Sequence, residues 1–202
     1  MTDHYFTTPS DDERRRTIRA TLFGTTFELQ TANAVFSGDG LDLATGVLLR
    51  SVDPPIGSPH VLDLGCGWGP IAIGLAHACP GATVDAIDVN DRALGLTRDN
   101  AATAGVGDRV RALRPEQVPE DVRYDEIWSN PPIRIGKEAL HELLLHWLGR
   151  LRPGGRAYLV VGRNLGADSL QRWLTEQGHP CERLASAKGF RVLAADAAGS
   201  GT

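Results

Sequence analysis

Two short runs carry residue types that could do chemistry. The first is Val61-Leu62-Asp63-Leu64-Gly65-Cys66-Gly67-Trp68-Gly69-Pro70, a hydrophobic stretch leading into three alternate glycines and a helix start. Glycine is needed where φ must be positive or where backbone must approach a ligand closely. A dinucleotide site wants GxGxxG, but here Pro70 holds the third slot and a glycine comes one position early. Asp63 lies two residues before the first glycine, a place that repels a pyrophosphate and attracts an ammonium. Asp88, 23 residues after Gly65, closes the run VDAID and can accept both hydroxyls of a ribose. A nucleoside carrying an amino acid suits both carboxylates, and S-adenosylmethionine (SAM) is such a ligand. The simpler alternative is a structural βαβ turn with a helix-capping aspartate. Strand, Asp63, three glycines and Asp88 together weigh against it.

The second run is Asp125-Glu126-Ile127-Trp128-Ser129-Asn130-Pro131-Pro132-Ile133. On its own Asn-Pro-Pro reads as a stiff turn. Its place at the end of a strand, one strand over from the glycine turn, puts it at the same crevice. An amide or exocyclic nitrogen is a poor nucleophile because its lone pair is delocalised. If the Asn130 side-chain oxygen and the Pro131 carbonyl each accept one N–H, the nitrogen is held and pushed towards sp³. Two prolines preorganise those acceptors. Asn130 and Pro131 are therefore the expected catalytic pair, with Asn130 also at the cofactor. The sequence offers no obvious general base, which suits a site that works by positioning and needs no metal.

These runs require a scaffold of strands and helices. Residues 17–23 and 26–31 read as a hairpin about Gly24-Thr25, and 41–52 as a helix stopped by Asp53-Pro54-Pro55. The pattern then alternates: strands at 60–64, 83–88, 109–113, 124–129 and 156–161, and helices at 71–79, 91–104, 138–149 and after Asp168. Gly154-Gly155 is expected to turn into the 156–161 strand. Leu140, Leu143, Leu144, Trp147 and Leu148 make one apolar stripe, with His141 and His146 off it as surface residues. A closing hairpin pairs 182–186 with 190–194. Such alternation predicts an α/β fold with a doubly wound, mostly parallel sheet whose ligands sit beyond the carboxyl ends of the strands.

Composition limits the function. The 202 residues carry a net charge of −4, with 42% hydrophobic and 23% charged residues, a globular profile without the bulk positive charge of a nucleic-acid-binding domain. Positive charge clusters at Arg14-Arg15-Arg16 and Arg19, where acids at 11–13 suggest a solvated face, and at Arg134 and Lys137 beside the second run. Cys66, Cys79 and Cys181 lack metal or disulfide spacing and read as free thiols in a reducing cytoplasm. No signal peptide is expected. Leu64 to Val84 lacks charged side chains for 21 residues, but five glycines and two prolines exclude a single membrane helix. The Ala194 to Thr202 stretch is small and polar and predicts fraying. Trp68 and Trp128 could stack on a base, with core packing the commoner fate.

Asp63 to Pro70, Asp88, and Asn130 to Ile133 followed by Arg134-Ile135-Gly136-Lys137 resemble the small-domain class I methyltransferases, the family of bacterial 16S and 23S rRNA guanine-N2 methyltransferases. His4-Tyr5-Phe6, Gly24, Val35-Phe36-Ser37, Leu41-Asp42, Thr45 and Lys188 to Val192 fit as well, so the likeness covers about residues 4–195. It implies a Rossmann-like seven-stranded sheet of order 3-2-1-4-5-7-6 with an N-terminal hairpin extension. The expected organisation is an extension over 1–52, a methyltransferase core over 53–195 and a flexible tail over 196–202.

The resemblance further implies that SAM is the methyl donor, leaving S-adenosylhomocysteine. Asp63, Gly65 and Gly67 would hold its methionine part, Asp88 its ribose, and Glu116 its adenine amine. Pro115-Glu116 stands where the family has Gly-Asp. Phe36, Ser37 and Ile133 would line the substrate pocket, and Arg134 and Lys137 would grip phosphate. Asn33-Ala34 replaces a usual glycine before Val35, and Leu43-Ala44-Thr45 a Gly-Thr pair. Relatives that methylate adenine amines or a protein glutamine usually have an aromatic at the Ile133 position, so isoleucine favours guanine N2 in rRNA. The two-domain rRNA enzymes carry an additional RNA-recognition domain that this chain is expected to lack, which leaves recognition to the Arg134–Lys137 patch or a partner protein. The other classes are N-methylation of a protein glutamine or a small molecule, and a non-catalytic SAM-binding subunit.

Overall fold

Successive side chains of a strand face opposite ways, and the central strands use that alternation to build two cores. The structure is a computed structural model in which residues 12–199 are described. It begins with a hairpin, β1 (Arg15–Leu22) and β2 (Thr25–Ala32), followed by α1 (Leu43–Ser51). The alternating part follows as β3 (His60–Leu64), α2 (Pro70–Ala78), β4 (Thr83–Ile87), α3 (Asp91–Thr103), β5 (Val110–Leu113) and β6 (Tyr124–Ser129). It ends with α4 (Lys137–Leu148), β7 (Leu151–Gly162), α5 (Ala167–Glu176), β8 (Cys181–Ala187) and β9 (Phe190–Asp196). The sheet order β5-β4-β3-β6-β7-β9-β8, counted from β3 as the first central strand, is the expected 3-2-1-4-5-7-6. Only β9 runs antiparallel to both its neighbours.

Val61, Val84, Ala86, Trp128 and Val160 face α1, α2 and α3, while Leu62, Leu64, Ile87, Ile127 and Leu159 face α4 and α5. The hairpin joins the first of these cores through Ala20, Leu22, Leu29 and Ala32. Gly74 in α2 makes that approach possible, because a Cβ there would stand 3.2 Å from Leu22 and Phe23. The hairpin turn falls at Phe23-Gly24, one residue earlier than expected. Both residues have positive φ, 43° and 82°, the hand that matches strand twist.

Three other expectations change. β7 starts at Leu151, not at Arg156, and Gly154-Gly155 form a bulge inside it between the Tyr124–Leu151 and Glu126–Arg156 pairs. Gly154 has a φ of 80°, and a Cβ on Gly155 would press to 2.9 Å from the Asp125 carbonyl, so only glycines let the strand pass. The chain does not fray from Ala194: β9 continues through Asp196, which pairs with Arg156, Ala194 and Ala195 are buried because β9 lies between two strands, and Ala197 just past it is buried with its amide donating to the Gly155 carbonyl at 2.9 Å. His141 is half-buried and not a free surface residue, its ring stacked on Trp173 at 3.5 Å and 14°. Trp68 and Trp128 are core residues, and all three cysteines are free. His4-Tyr5-Phe6 and residues 200–202 lie outside the described residues. Among the described residues no helix is long and apolar enough to cross a membrane.

Candidate active site

The glycine turn leaves β3 with Gly65 and Gly67 at positive φ, 80° and 57°. The Gly65 and Cys66 amides both donate to the Ile87 carbonyl at 2.9 Å, which locks the turn to the carboxyl end of β4. A Cβ on Gly65 would meet nothing within 4 Å, so its open face is left for a ligand, whereas one on Gly69 would sit 3.0 Å from Thr97. Two of the three glycines therefore keep the crevice clear and the third lets α3 pack.

Asp63 lies under this turn and is fully buried. Its Oδ2 accepts from the Ala72 amide at 3.0 Å, and its Oδ1 has no partner. Burial pushes its carboxyl up to about 8. An orphaned buried acceptor is costly, and a ligand ammonium, directly or through one water, would satisfy it. Asp88 stands behind Gly67, with Oδ2 accepting from the Gly67 amide at 3.0 Å and Oδ1 from the Asn90 amide at 2.9 Å. Burial raises its pKa against the pull of those N–H donors. Each oxygen keeps a lone pair for a hydroxyl. Glu116 is exposed, three residues beyond Leu113, whose carbonyl accepts from the Asp88 amide at 3.3 Å. The Cys66 thiol is buried and pushed upward by that burial, which removes it as a nucleophile. The orphaned Asp63 oxygen and the open face of Gly65 fit the methionine end of SAM.

β6 delivers Asn130 one strand away, with Ser129 Oγ donating to the Leu64 carbonyl at 2.7 Å. The Asn130 Nδ2 donates to Asp42 Oδ1 at 3.1 Å and to Thr45 Oγ1 at 3.2 Å. A carboxylate can only accept, so this pairing fixes which way the amide faces. Among the described residues no donor pairs with Asn130 Oδ1, which is left to accept from a ligand. The Pro131 carbonyl accepts from the Ile133 amide at 2.8 Å in a tight turn about Pro132, and retains one lone pair.

The loop after β2 closes over this crevice. Asn90 Nδ2 donates to the Ala34 carbonyl at 2.9 Å and Arg92 to the Asn33 carbonyl at 3.0 Å, so the start of α3 anchors the loop. Phe36 is 53% exposed at the mouth. Phe36, Ser37, Gly65, Gly67 and Asn130 line one crevice together with Asp42 and Thr45. Ile133 and Lys137 instead line a separate cavity beyond the proline turn, and Arg134 is exposed beside it.

Asp42 and Thr45 line this crevice beside Asn130, a place that their sequence context did not assign them. Their signal was an aspartate preceding an apolar helical run, and Asp42 does cap α1, accepting from the Ala44 and Thr45 amides at 2.8 and 3.0 Å. Its second partner, 88 positions away at Asn130, is set by tertiary structure alone.

The family model described as methyltransferase small domain matches residues 26–194. The uncharacterized protein YbxB of Bacillus subtilis is 29% identical over 199 residues, 96% of this chain and 98% of that protein. The ribosomal RNA small subunit methyltransferase C of Ectopseudomonas mendocina is 32% identical over 166 residues, 80% of this chain and 48% of that enzyme. Among solved structures, a T. thermophilus 16S rRNA N2 methyltransferase in complex with AdoMet and guanosine superposes with a TM-score of 0.80 at 25% identity, covering 93% of this chain and 52% of that one. The chain thus spans about half the length of the named rRNA enzymes it matches.

Proposed function

The chain belongs to the methyltransferase small-domain family as a SAM-dependent methyltransferase, and from that premise we propose that it methylates the exocyclic N2 of guanine in ribosomal RNA, in the cytoplasm. The observation that carries this is the Asn130 amide: its NH₂ is committed to Asp42 and Thr45, which leaves its oxygen to accept, and it lines a crevice shared with the glycine turn. SAM, when bound, supplies an already activated methyl sulfonium. Asp63 takes the ammonium of its methionine part with Gly65 and Gly67 alongside, Asp88 takes the ribose hydroxyls, and Glu116 stands on the adenine side.

The chain's task is then to orient a nitrogen. Asn130 Oδ1 and the free lone pair of the Pro131 carbonyl each accept one N–H of the guanine amine, which holds the nitrogen with its lone pair directed into the crevice. A flipped base enters past Phe36 and Ser37. Phe36, exposed at the mouth, offers the stacking face that Ile133 does not. RNA is the substrate favoured by the named relatives, and Arg134 and Lys137 meet its phosphates.

The test is incubation of the purified protein with tritiated SAM and separate rRNA, protein and metabolite fractions from a strain lacking its gene. Label in rRNA is expected. Label in protein or in small amines alone would replace the substrate, and SAM binding with label nowhere would make the chain a non-catalytic subunit.

A further inference from the structure

The positive charge concentrated in the sequence at Arg14–Arg19 is largely neutralised in the fold. Arg15 pairs with Glu13 and Asp99, Arg16 with Asp39 and Arg19 with Glu28. Four other cations, Arg134, Lys137, Arg163 and Lys188, are exposed, and none has a carboxylate within 4.0 Å among the described residues. Arg134 and Lys137 follow the proline turn together, and the topology brings Arg163 and Lys188, distant from them in sequence, to the same carboxyl ends of β6 and β7. Lys137 opens α4 just after the proline turn, and Arg163 follows β7 directly. β9 pairs Phe190 with Gly162, and the Arg163 amide donates to the Gly189 carbonyl at 2.8 Å, which brings the Lys188 turn to the same rim.

Beside Lys137 lies a cavity of about 270 Å³, walled by Ile133, Leu140, Val161 and Leu165, with Lys137, His141 and Ser169 at its polar edge; Arg134 and Arg163 adjoin its lining residues Ile133 and Leu165 in the chain. Leu165 is 60% exposed. The nearby carboxylate of Asp168 is turned to Arg191 at 3.3 Å, so it leaves the rim positive. Sites for drug-sized ligands start at roughly 300 Å³, so this one suits a single flat ring system. Ile133 makes its wall continuous with the Asn130-Pro131-Pro132 turn.

We propose that this cavity is a second subsite, which takes the base of the nucleotide next to the one methylated, in a single-stranded RNA whose phosphates run along Arg134, Lys137, Arg163 and Lys188. The proposal rests on RNA being the substrate. Apolar walls contact the faces of a base and not its hydrogen-bonding edges, so the subsite accepts an unstacked nucleotide with little sequence preference. It also answers the charge problem of a chain at −4: four unpaired cations on one rim grip a polyanion that the protein as a whole repels.

The test is fluorescence anisotropy of a labelled single-stranded RNA decamer of mixed sequence, titrated in the presence of S-adenosylhomocysteine over a range of salt concentrations. Leu165→Glu is expected to weaken binding at least tenfold. The double variant Arg163→Ala, Lys188→Ala is expected to flatten the slope of log affinity against log salt by about 1.4, at roughly 0.7 per phosphate contact on a single strand. All three positions are exposed, so thermal midpoint and SAM affinity should hold within twofold and report an intact fold. Unchanged decamer binding in both variants would overturn the subsite. If wild type still labels rRNA in that case, the functional assignment survives without it. Wild type that binds an acidic glutamate-rich decapeptide and not RNA would overturn both.

Discussion

At the level of single residues, turnover depends on which atom of the Asn130 amide is left free to accept. Asp42 decides it, since one carboxylate oxygen both caps α1 and accepts from the Asn130 amide. Asp42→Ser keeps a cap but cannot reach Asn130, so kcat should fall roughly tenfold with SAM affinity and melting temperature near wild type. Asp42→Asn retains an oxygen for both bonds and should restore turnover, a rescue that a capping role alone would not require. Asn130→Ala should lower kcat roughly a hundredfold or more while SAM affinity stays within twofold, measured by single-turnover kinetics and calorimetry. Asp63 makes a pH prediction. Its carboxyl ionises at 3.8 in the ordinary state and at about 8 when buried here, so the folded protein retains a proton through that window. Stability should therefore decline as pH rises from about 4 to about 8, and Asp63→Asn should gain on wild type over the same range. An ammonium placed beside Asp63 favours its charged form, so binding S-adenosylhomocysteine at pH 7 should release a proton. Calorimetry in buffers of different ionisation enthalpy reads that release, which the Asn variant should lack.

At the scale of elements, most of the scaffold is legible in periodicity and punctuation. The apolar stripe of Leu140, Leu144, Trp147 and Leu148 is buried as a helical repeat requires, and Asn90 caps α3 beside the glycine turn. The bulge in β7 was not legible, because Gly154-Gly155 marks a turn and a bulge alike until the partner strand is known. The stacking of His141 on Trp173 is also tertiary, since it joins α4 to α5. The loop after β2 carries local strain. Ala34 is held at a φ of 56°, a region that penalises side chains by roughly 1–2 kcal/mol. Glycine would relieve that strain and lose roughly 0.4–1 kcal/mol through a freer unfolded chain. Ala34→Gly should thus stabilise by about 0.5–1 kcal/mol and raise Tm by about 1–4 °C, without weakening SAM binding, as a thermal melt would show. An unchanged or lower midpoint would mean that the anchoring by Asn90 and Arg92 needs the alanine.

At the scale of the whole molecule, alternation of strands and helices fixes the sheet, and the sheet fixes the site. β3 lies between β4 and β6, where the chain reverses its direction of travel across the sheet. The glycine turn, Asp88 and Asn130 leave the carboxyl ends of those three adjacent strands, so their convergence follows from topology. Asp42 and Thr45 reach the same point from the N-terminal extension, a contact that no local pattern announces. Charge shows the same division: the run at Arg14–Arg19 is conspicuous in sequence and largely neutralised in the fold, whereas the unpaired rim is assembled from three separate segments. Everything in this site converges on Asn130 and Pro131, which are proposed to present the N2 amine of guanine for methylation. The most direct measurement is mass spectrometry of nucleosides from rRNA of a strain lacking the gene, after incubation with the protein and methyl-deuterated SAM. Deuterated N2-methylguanosine is expected, and its absence with Asn130→Ala. Label confined to another nucleoside, or N2-methylguanosine undiminished in that variant, would rule that role out.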